Sequence, residues 1–321
     1  MRKNMRPVVA SLALMSFALL TSCSTSVLDV EPDVNISPKL ARQIKAKGFR
    51  EEDPVLIRIF KAESEFEIWK RKPSGEYALF KTYPICRWSG KLGPKRKGGD
   101  RQAPEGFYQV GLGQLNPNSQ YYLSFNLGYP NRLERALGST GEALMVHGAC
   151  SSSGCFALTD QGMSEIYPIV NKALRSGQRS FQVQSYPFRM TAENMRRHAG
   201  DSNMRFWQSM KVGYDYFERT RREPAVGACS GLYAINQAPE SLPSDPLAPC
   251  PGSVEVAELP LLNQSSPVTA YTYDYKDGGM HESYRELLRR YGPKKMAAKV
   301  STTKYPVSRP DAALADPYQP K

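Results

Sequence analysis

One stretch in the middle of the chain constrains the fold more than any other, because two short apolar runs lie on either side of a loop of small residues. The runs cover residues 143–146 and 156–158 and are typical of buried strands. Between them, residues 147–155 include two glycines, which allow the backbone to turn tightly. The pattern predicts that a strand ends at His147 and that a second apolar segment begins just after Cys155.

The residue types at the two ends of this loop can support nucleophilic catalysis. A cysteine attacks a carbonyl as its thiolate, and a nearby imidazole can take the thiol proton. Backbone N–H groups around Gly154 and Cys155 can face the oxyanion that develops on the attacked carbonyl. The alternative is that Cys155 is a small buried hydrophobic residue and His147 a structural histidine. The residues alone leave both interpretations open.

The spacing of the loop residues resembles a known active-site signature. His147 is followed by Gly148, and Cys155 is preceded by Ser152 and Gly154, which gives His-Gly and then Ser-x-Gly-Cys. This pattern resembles the catalytic motif of the L,D-transpeptidase (YkuD-type) family. Further segments between about residue 55 and about residue 198 are similar to its YafK-like subgroup, namely residues 83–86, 103–108, 116–119 and 124–131.

The resemblance implies a mainly β catalytic domain, a mixed β-sheet sandwich with flanking helices. It also implies a peptidoglycan L,D-transpeptidase in which Cys155 attacks a meso-diaminopimelate carbonyl of a stem peptide and forms a thioester. His147 is the implied base, and the N–H groups of Gly154 and Cys155 are the implied oxyanion donors. Ser152 and Gly148 are the implied residues that orient the loop. No cofactor and no metal is implied.

The implied thioester has two possible fates, and other interpretations compete with it. An amine that captures the thioester makes the protein a transpeptidase, whereas water makes it a cysteine hydrolase that cuts stem peptides or peptidoglycan–lipoprotein links. Many family members carry Arg two residues after the cysteine, but this chain has Ala157. A non-catalytic wall-binding lipoprotein is a further alternative. A zinc site formed by His147, Cys150, Cys155 and Cys86 is disfavoured, because the spacing fits no tight zinc signature.

The first residues have the features of an export signal. Three basic residues precede an apolar stretch at residues 8–20, and Cys23 stands where a processed lipoprotein would be lipidated. We therefore predict a signal peptide at residues 1–22 and a periplasmic protein anchored through a lipid at Cys23. Ser24, in place of Asp, resembles the sorting pattern of outer-membrane lipoproteins, which implies the outer membrane rather than the inner one. The alternative is an ordinary cleaved signal with an incidental cysteine.

The charge of the chain predicts an anionic partner. The formal net charge is +12, and removal of the three basic residues of the signal lowers it to +9. Nucleic acid is excluded as a partner, because an exported chain does not meet it and no nucleic-acid-binding motif is recognisable. The predicted partners are peptidoglycan stem peptides, a wall-linked lipoprotein and the membrane that holds the lipid anchor.

The remaining cysteines predict disulfides in an oxidising compartment. With Cys23 lipidated and Cys155 as nucleophile, an even number is left, namely Cys86, Cys150, Cys229 and Cys250. The pair Cys229–Cys250 is favoured because it encloses a Pro-rich stretch. The pair Cys86–Cys150 and an inhibitory Cys150–Cys155 bond are further possibilities, since pairing cannot be deduced from sequence alone.

The chain divides into a tether with a short helix (23–53), the catalytic domain (54–198), a helical and Pro-rich extension (199–300) and a disordered tail (301–321). Apolar periodicity and capping residues predict the elements. The predicted strands are residues 55–60, 65–69, 77–82, 107–112, 121–127 and 178–186, with a turn at 116–119. The predicted helices begin near residues 37, 132, 159, 191, 203 and 281. The strand at 65–69 alternates charged and apolar residues, which predicts one solvent-facing side.

Weaker signals indicate substrate-binding residues. Residues 90–101 are rich in glycine and in positive charge, and they include Lys95 and Arg96. One interpretation is a solvated flexible loop, and the other is a mobile rim that attracts substrate carboxylates and replaces the cation missing at Ala157. Tyr129 is a candidate for lining a groove, although such aromatic residues more often pack in a core.

Overall fold

The computed structural model describes residues 34–251 and 278–300. The predicted signal peptide at residues 1–22, the lipidation site Cys23 and the predicted tail at residues 301–321 lie outside the described residues. No helix within the described residues has the length and apolarity needed to cross a membrane.

The described residues form strands and helices close to the predicted positions. The strands are β1 (Val55–Phe60), β2 (Glu65–Arg71), β3 (Tyr77–Pro84), β4 (Arg87–Trp88), β5 (Gly106–Gly111), β6 (Leu115–Ser119), β7 (Tyr122–Asn126), β8 (Met145–His147), β9 (Phe156–Ala157), β10 (Ser180–Tyr186), β11 (Val226–Cys229) and β12 (Leu232–Ile235). The helices are α1 (Pro38–Ala46), α2 (Arg132–Ala136), α3 (Asp160–Arg175), α4 (Ala192–Arg197), α5 (Met204–Thr220) and α6 (Glu282–Val300).

The strands make two mixed sheets and a hairpin. The first sheet has the order β3-β2-β1-β10-β5, in which only the β1–β10 pair is parallel. The second sheet has the order β4-β9-β8-β7-β6, in which only the β8–β9 pair is parallel. Strands β11 and β12 form the hairpin. The predicted fold class, mixed β-sheets with flanking helices, is confirmed.

Both sheets and helix α3 contribute to one buried apolar cluster. Phe125 of the second sheet meets Phe181 of the first edge to face, with 5.5 Å between the ring centroids. Helix α3 begins where Thr159 accepts a hydrogen bond from the N–H of Gly162, as its N-cap residue should. Its apolar stripe is buried, as predicted, at Met163, Ile166, Ile169, Val170 and Leu174.

Helix α5 covers the outer face of the first sheet. Its predicted stripe of aromatic and methionine residues is buried, and Tyr214 packs edge to face on Tyr186 of β10. Beneath the helix, the guanidinium of Arg58 lies 4.6 Å from the ring centroid of Phe217 and donates to Glu218. The extension after residue 198 therefore packs on the same sheet that begins the predicted catalytic domain.

Two local predictions were wrong. Strand β2 has no solvent-facing side in its middle, because Glu67 accepts hydrogen bonds from Trp69 and Arg189, and Lys70 donates to the carbonyl oxygen of Asp53. Residues 116–119, predicted as a turn, belong to β6, and the chain reverses just before Tyr122, which has a left-handed φ of 68°.

Candidate active site

The parallel pair β8–β9 brings the two ends of the predicted loop together. In this ladder Val146 is paired with Phe156, and His147 with Ala157. Cys155 directly precedes β9, and its Sγ accepts a hydrogen bond from the N–H of Met145 at 3.4 Å. The thiol therefore lies beside the strand that ends in the imidazole.

The imidazole of His147 is held in one tautomer. Its Nδ1 lies 2.7 Å from the carbonyl oxygen of Gly148, which can only accept, so Nδ1 carries the proton. The ring packs against Tyr121 with 5.0 Å between the centroids. Burial lowers the pKa of His147 to about 4, although the hydrogen bond to Gly148 opposes this shift. At neutral pH the ring is therefore neutral, and Nε2 is the nitrogen that can take a proton.

The thiol of Cys155 is also neutral at rest. Its side chain is half-buried, and burial raises the pKa of the thiol above its ordinary value. The N–H of Met145 and the charge of Lys95 lower this pKa, but the effect of burial is larger. The site thus holds a neutral thiol and a neutral imidazole, and a thiolate forms only when the proton moves to a base.

The first half of the loop is fixed by Asp160, a residue that the sequence reasoning missed. Its Oδ1 accepts a hydrogen bond of 2.7 Å from the N–H of Ala149, whose φ is left-handed at 61°. A Cβ at Gly148 would lie 2.5 Å from the same oxygen, so only glycine fits there. Asp160 follows the N-cap residue of α3, and the sequence marked that position only as the start of a helix.

A disulfide joins Cys150, in the middle of the loop, to Cys86. The C-terminal part of the chain covers it, because Met280 and Met296 lie in the same buried cluster. The second disulfide joins Cys229 to Cys250. The inhibitory Cys150–Cys155 bond is therefore wrong for this structure. So is the zinc alternative, since two of its four ligands are bonded to each other.

The second half of the loop is fixed by hydroxyl groups. Ser152 donates to the carbonyl oxygen of Cys155 at 2.7 Å, and its Oγ lies 2.9 Å from the Oγ of Ser89. The Ser89 Oγ also accepts a hydrogen bond from the N–H of Gly154 at 2.5 Å. The expected oxyanion role of Gly154 is therefore wrong for this geometry, because its N–H is already bonded. Ser89 follows β4, far from the loop in sequence, and no sequence signal indicated it.

The structure places the weaker binding candidates differently from the expectation. Lys95 is only 3% exposed and donates to Asp100 and to the carbonyl oxygen of Lys97 at 2.8 Å, so it is not a mobile surface cation. Tyr129 is buried and donates to the carbonyl oxygen of Lys95 at 3.3 Å, and it packs as a core residue. Arg96 is exposed.

Comparison with known proteins decides the family. No family model matches the chain. Over 184 residues the chain is 48% identical to "Putative L,D-transpeptidase YafK" of Escherichia coli (strain K12), and the match covers 57% of this chain and 74% of that protein. The protein of the same name from Escherichia coli O157:H7 gives the same values. The chain belongs to the YafK-like L,D-transpeptidase family.

Two solved structures also resemble the chain. The helical cell shape determining protein Pgp2 of Campylobacter jejuni is 16% identical, with 59% of this chain and 79% of that chain covered and a TM-score of 0.34. Bd1075 of Bdellovibrio bacteriovorus is 13% identical, with 55% and 75% covered and a TM-score of 0.31.

Residue 157 is an alanine, but an arginine lies beside it in the second sheet. Ala157, where the resemblance to the wider family implies an arginine, is paired with Arg87 on the neighbouring strand β4. Directly paired residues project on the same side of a sheet, so Arg87, Ala157 and His147 form one row across three strands. An arginine is thus present in this row, but it comes from a different strand.

Proposed function

We propose that this protein is a peptidoglycan L,D-transpeptidase that uses Cys155 as nucleophile and His147 as base. The observation that carries the proposal is the fixed imidazole: its Nδ1 is bonded to Gly148, its pKa is lowered to about 4, and it ends the strand against which the thiol lies. A neutral imidazole can accept a proton at Nε2, as a general base must. Membership of the YafK-like family supports the choice of peptidoglycan as substrate.

The proposed acylation proceeds in balanced steps. The Sγ proton of Cys155 passes to Nε2 of His147 as Sγ attacks the carbonyl carbon of the L-configured centre of meso-diaminopimelate. The carbonyl oxygen becomes an oxyanion. When it collapses, the amide C–N bond breaks and the leaving amine takes the proton from the imidazolium. A thioester on Cys155 remains.

The second half returns the enzyme to its starting state. The amine of an acceptor attacks the thioester, gives its proton to His147, and releases the Cys155 thiolate, which recovers the proton from the imidazolium. Since the N–H of Gly154 is bonded to Ser89, we assign the oxyanion donor role to the N–H of Cys155.

Hydrolysis is the second candidate function, and Ala157 is the observation that favours it. The sequence has Ala157 on β9 where the family pattern implies an arginine, and we infer that binding of an amine acceptor is weakened. Water in place of an amine acceptor would convert the same thioester into a free carboxylate. The protein would then be a peptidase or amidase that cuts stem peptides or peptidoglycan–lipoprotein links.

We further propose that the protein works in the periplasm, anchored through a lipid on Cys23 to the outer membrane. The basic charge of the chain after residue 22 suits contact with an anionic cell wall. Peptidoglycan stem peptides are the proposed substrates, and a wall-linked lipoprotein is a proposed partner.

Mass spectrometry of reaction products tests these proposals. The chain from Ser24 onward is incubated with tetrapeptide muropeptides and with wall-linked lipoprotein peptide, beside the variant Cys155→Ala. Cross-linked or amine-exchanged products that vanish in the variant establish the transpeptidase. Shortened stems or released lipoprotein peptide without exchange establish the hydrolase. Identical product patterns with both proteins would leave only the non-catalytic wall-binding function.

A further inference from the structure

The hydroxyl groups of Ser89 and Ser152 form a chain of hydrogen bonds near Cys155, and the donor of each bond can be assigned. The carbonyl oxygen of Cys155 can only accept, so Ser152 gives its single hydroxyl proton to it. The Ser152 Oγ must then accept from Ser89, since the two hydroxyl groups lie 2.9 Å apart. The Ser89 Oγ accepts in turn from the N–H of Gly154. Each hydroxyl donates once and accepts once, and such directed chains are mutually strengthening.

The chain of hydrogen bonds fixes the peptide groups before and after the unit that joins Gly154 to Cys155. The Gly154 N–H belongs to the preceding unit and the Cys155 carbonyl to the following one. The unit between them joins Gly154 to Cys155 and carries the N–H of Cys155. Its plane has little freedom when both neighbours are fixed, and Gly154 has a positive φ of 120°, which glycine adopts without strain. Donors held in advance in this way are effective at an oxyanion.

Ser89 is itself firmly held. Its side chain is fully buried, and its carbonyl oxygen accepts a hydrogen bond from the N–H of Ala103 at 2.8 Å. The segment that follows it is fastened by Lys61, whose ammonium donates to Glu105 at 2.8 Å and to the carbonyl oxygens of Lys91, Gly93 and Ala103. Glu105 also accepts from the indole of Trp207 at 2.7 Å. The hydroxyl therefore acts from a rigid support.

We propose that Ser89 is a positioning residue that, through Ser152, orients the N–H of Cys155 toward the oxyanion. The inference rests on the proposed function, because it assumes acyl transfer at Cys155. It predicts that loss of the Ser89 hydroxyl slows acylation of Cys155 but not its alkylation. Acylation passes through an oxyanion and should need the oriented N–H, whereas alkylation by iodoacetamide displaces iodide at a CH₂ carbon and develops no oxyanion.

The experiment compares these two reactions at the same thiol. In the chain from Ser24 onward Cys23 is absent, and Cys155 is the free cysteine of the described residues, so both reagents report on it. Acylation is followed with p-nitrophenyl acetate and alkylation with iodoacetamide. We expect Ser89→Ala to slow acylation about tenfold, less than the roughly 10²- to 10³-fold cost of removing a donor outright. Alkylation should stay within about twofold, well below the tenfold change that 1.4 kcal/mol produces.

Two further variants complete the design. Ser152→Ala removes the other hydroxyl of the hydrogen-bond chain and should likewise slow acylation without slowing alkylation. The double variant should be no slower than either single variant, because each one already interrupts the hydrogen bonds. Ser153→Ala is the matched control, since Ser153 lies in the same loop with an exposed side chain. It should change neither rate. If Ser89→Ala does not fold, which rapid alkylation of an exposed thiol would reveal, Ser152→Ala decides alone.

The proposal is overturned if Ser89→Ala or Ser152→Ala slows both reactions equally, which would indicate a general loosening of the loop, or if it slows neither. Its failure is distinguishable from failure of the proposed function. If the wild-type chain transfers no muropeptide, but Ser89→Ala still slows acylation and not alkylation, the substrate is refuted and the role of Ser89 is retained.

Discussion

The first sheet is built from strands of six to eight residues, whereas the second sheet, which carries the candidate site, is built from strands of two to five. Long ladders and the apolar stripe of α5 hold the first sheet. The short strands β8 and β9 share only two register pairs. The positions of His147 and Cys155 therefore depend on individual ties, namely Asp160, the Cys86–Cys150 disulfide and Ser89. A single substitution should disturb function in the second sheet and mainly stability in the first.

The largest expected effect is on the rate of acyl transfer. We expect His147→Gln to lower it by about 10²- to 10⁴-fold, because the base that takes the Sγ proton is lost. His198→Gln is the control, since that histidine is half-buried and stacks on Phe188 with 4.5 Å between the ring centroids. The measurement is the initial rate of product formation. Comparable rates for the two variants would remove His147 from the mechanism.

The two disulfides should differ in what they support. In the chain-entropy model, loss of Cys86–Cys150, which spans 64 residues, lowers the free energy of unfolding by about 4 kcal/mol, and loss of Cys229–Cys250, which spans 21, by about 3 kcal/mol. Only the first pair holds the loop at residues 147–155, through Cys150, so only its replacement by alanines should also reduce acyl transfer. Denaturant unfolding and rate assays on both double variants check this. Equal rates in the two would contradict the comparison.

The pH dependence of alkylation tests the neutral resting state. Burial raises the pKa of the Cys155 thiol, and the pKa of His147 is lowered to about 4. At no pH should the resting site therefore hold a thiolate on Cys155 together with an imidazolium on His147. The iodoacetamide rate should rise with pH only above the ordinary thiol pKa, and at pH 7 it should be more than about 30-fold below its alkaline limit. A rate plateau between pH 5 and 8 would demonstrate a preformed ion pair instead.

Asp160 provides the next contrast. Asp160→Ala leaves the buried N–H of Ala149 without its acceptor and should cost about 1–3 kcal/mol of unfolding free energy together with a loss of activity. Asp245→Ala removes a similar hydrogen bond, to the N–H of Leu247, at an exposed position and should cost less than about 1 kcal/mol. Thermal unfolding of both variants measures the difference. Similar losses would show that the loop does not depend on Asp160.

The smallest contrast comes from a matched pair of core valines. Val183 in β10 and Val146 in β8 are both fully buried. Replacement by alanine should cost about 2 kcal/mol of stability at either site, because two methyl groups leave the core. Only Val146→Ala should also slow acyl transfer by a few-fold, since it loosens the strand that ends in His147. Equal activities would mean that the short strands are held more rigidly than proposed.

The elements that sequence reasoning found are those that apolar spacing encodes locally. The apolar stripe of α5 recurs at every helical turn, and Thr159 directly precedes α3 as its N-cap residue. Strand β1 is mainly a run of apolar residues. The pair His147 and Cys155 was found because both residues lie in one short loop. Their proposed roles come from chemistry and from the family.

What the sequence did not predict involves polar residues whose partners are remote. Glu67 was expected at a solvent-facing side, but it is buried because Arg189 reaches it from beyond β10. Lys95 was expected in a solvated flexible loop or at a mobile rim, but Asp100 and Tyr129 enclose it. Ser89 and Asp160 act on the loop from other segments. Burial of a polar group depends on partners that only the folded chain brings together, so local patterns do not reveal it.

Residues 279–296 tie the loop at residues 147–155 to a distant part of the chain. Trp88, beside Ser89, exchanges two backbone hydrogen bonds of 3.0 Å with Gly279, where a larger residue would strike the indole. Met280 and Met296 then pack over the disulfide of the loop. A truncation before residue 279 would remove both contacts and uncover the disulfide of the loop. The setting of the loop therefore depends on a segment that is remote from it in sequence.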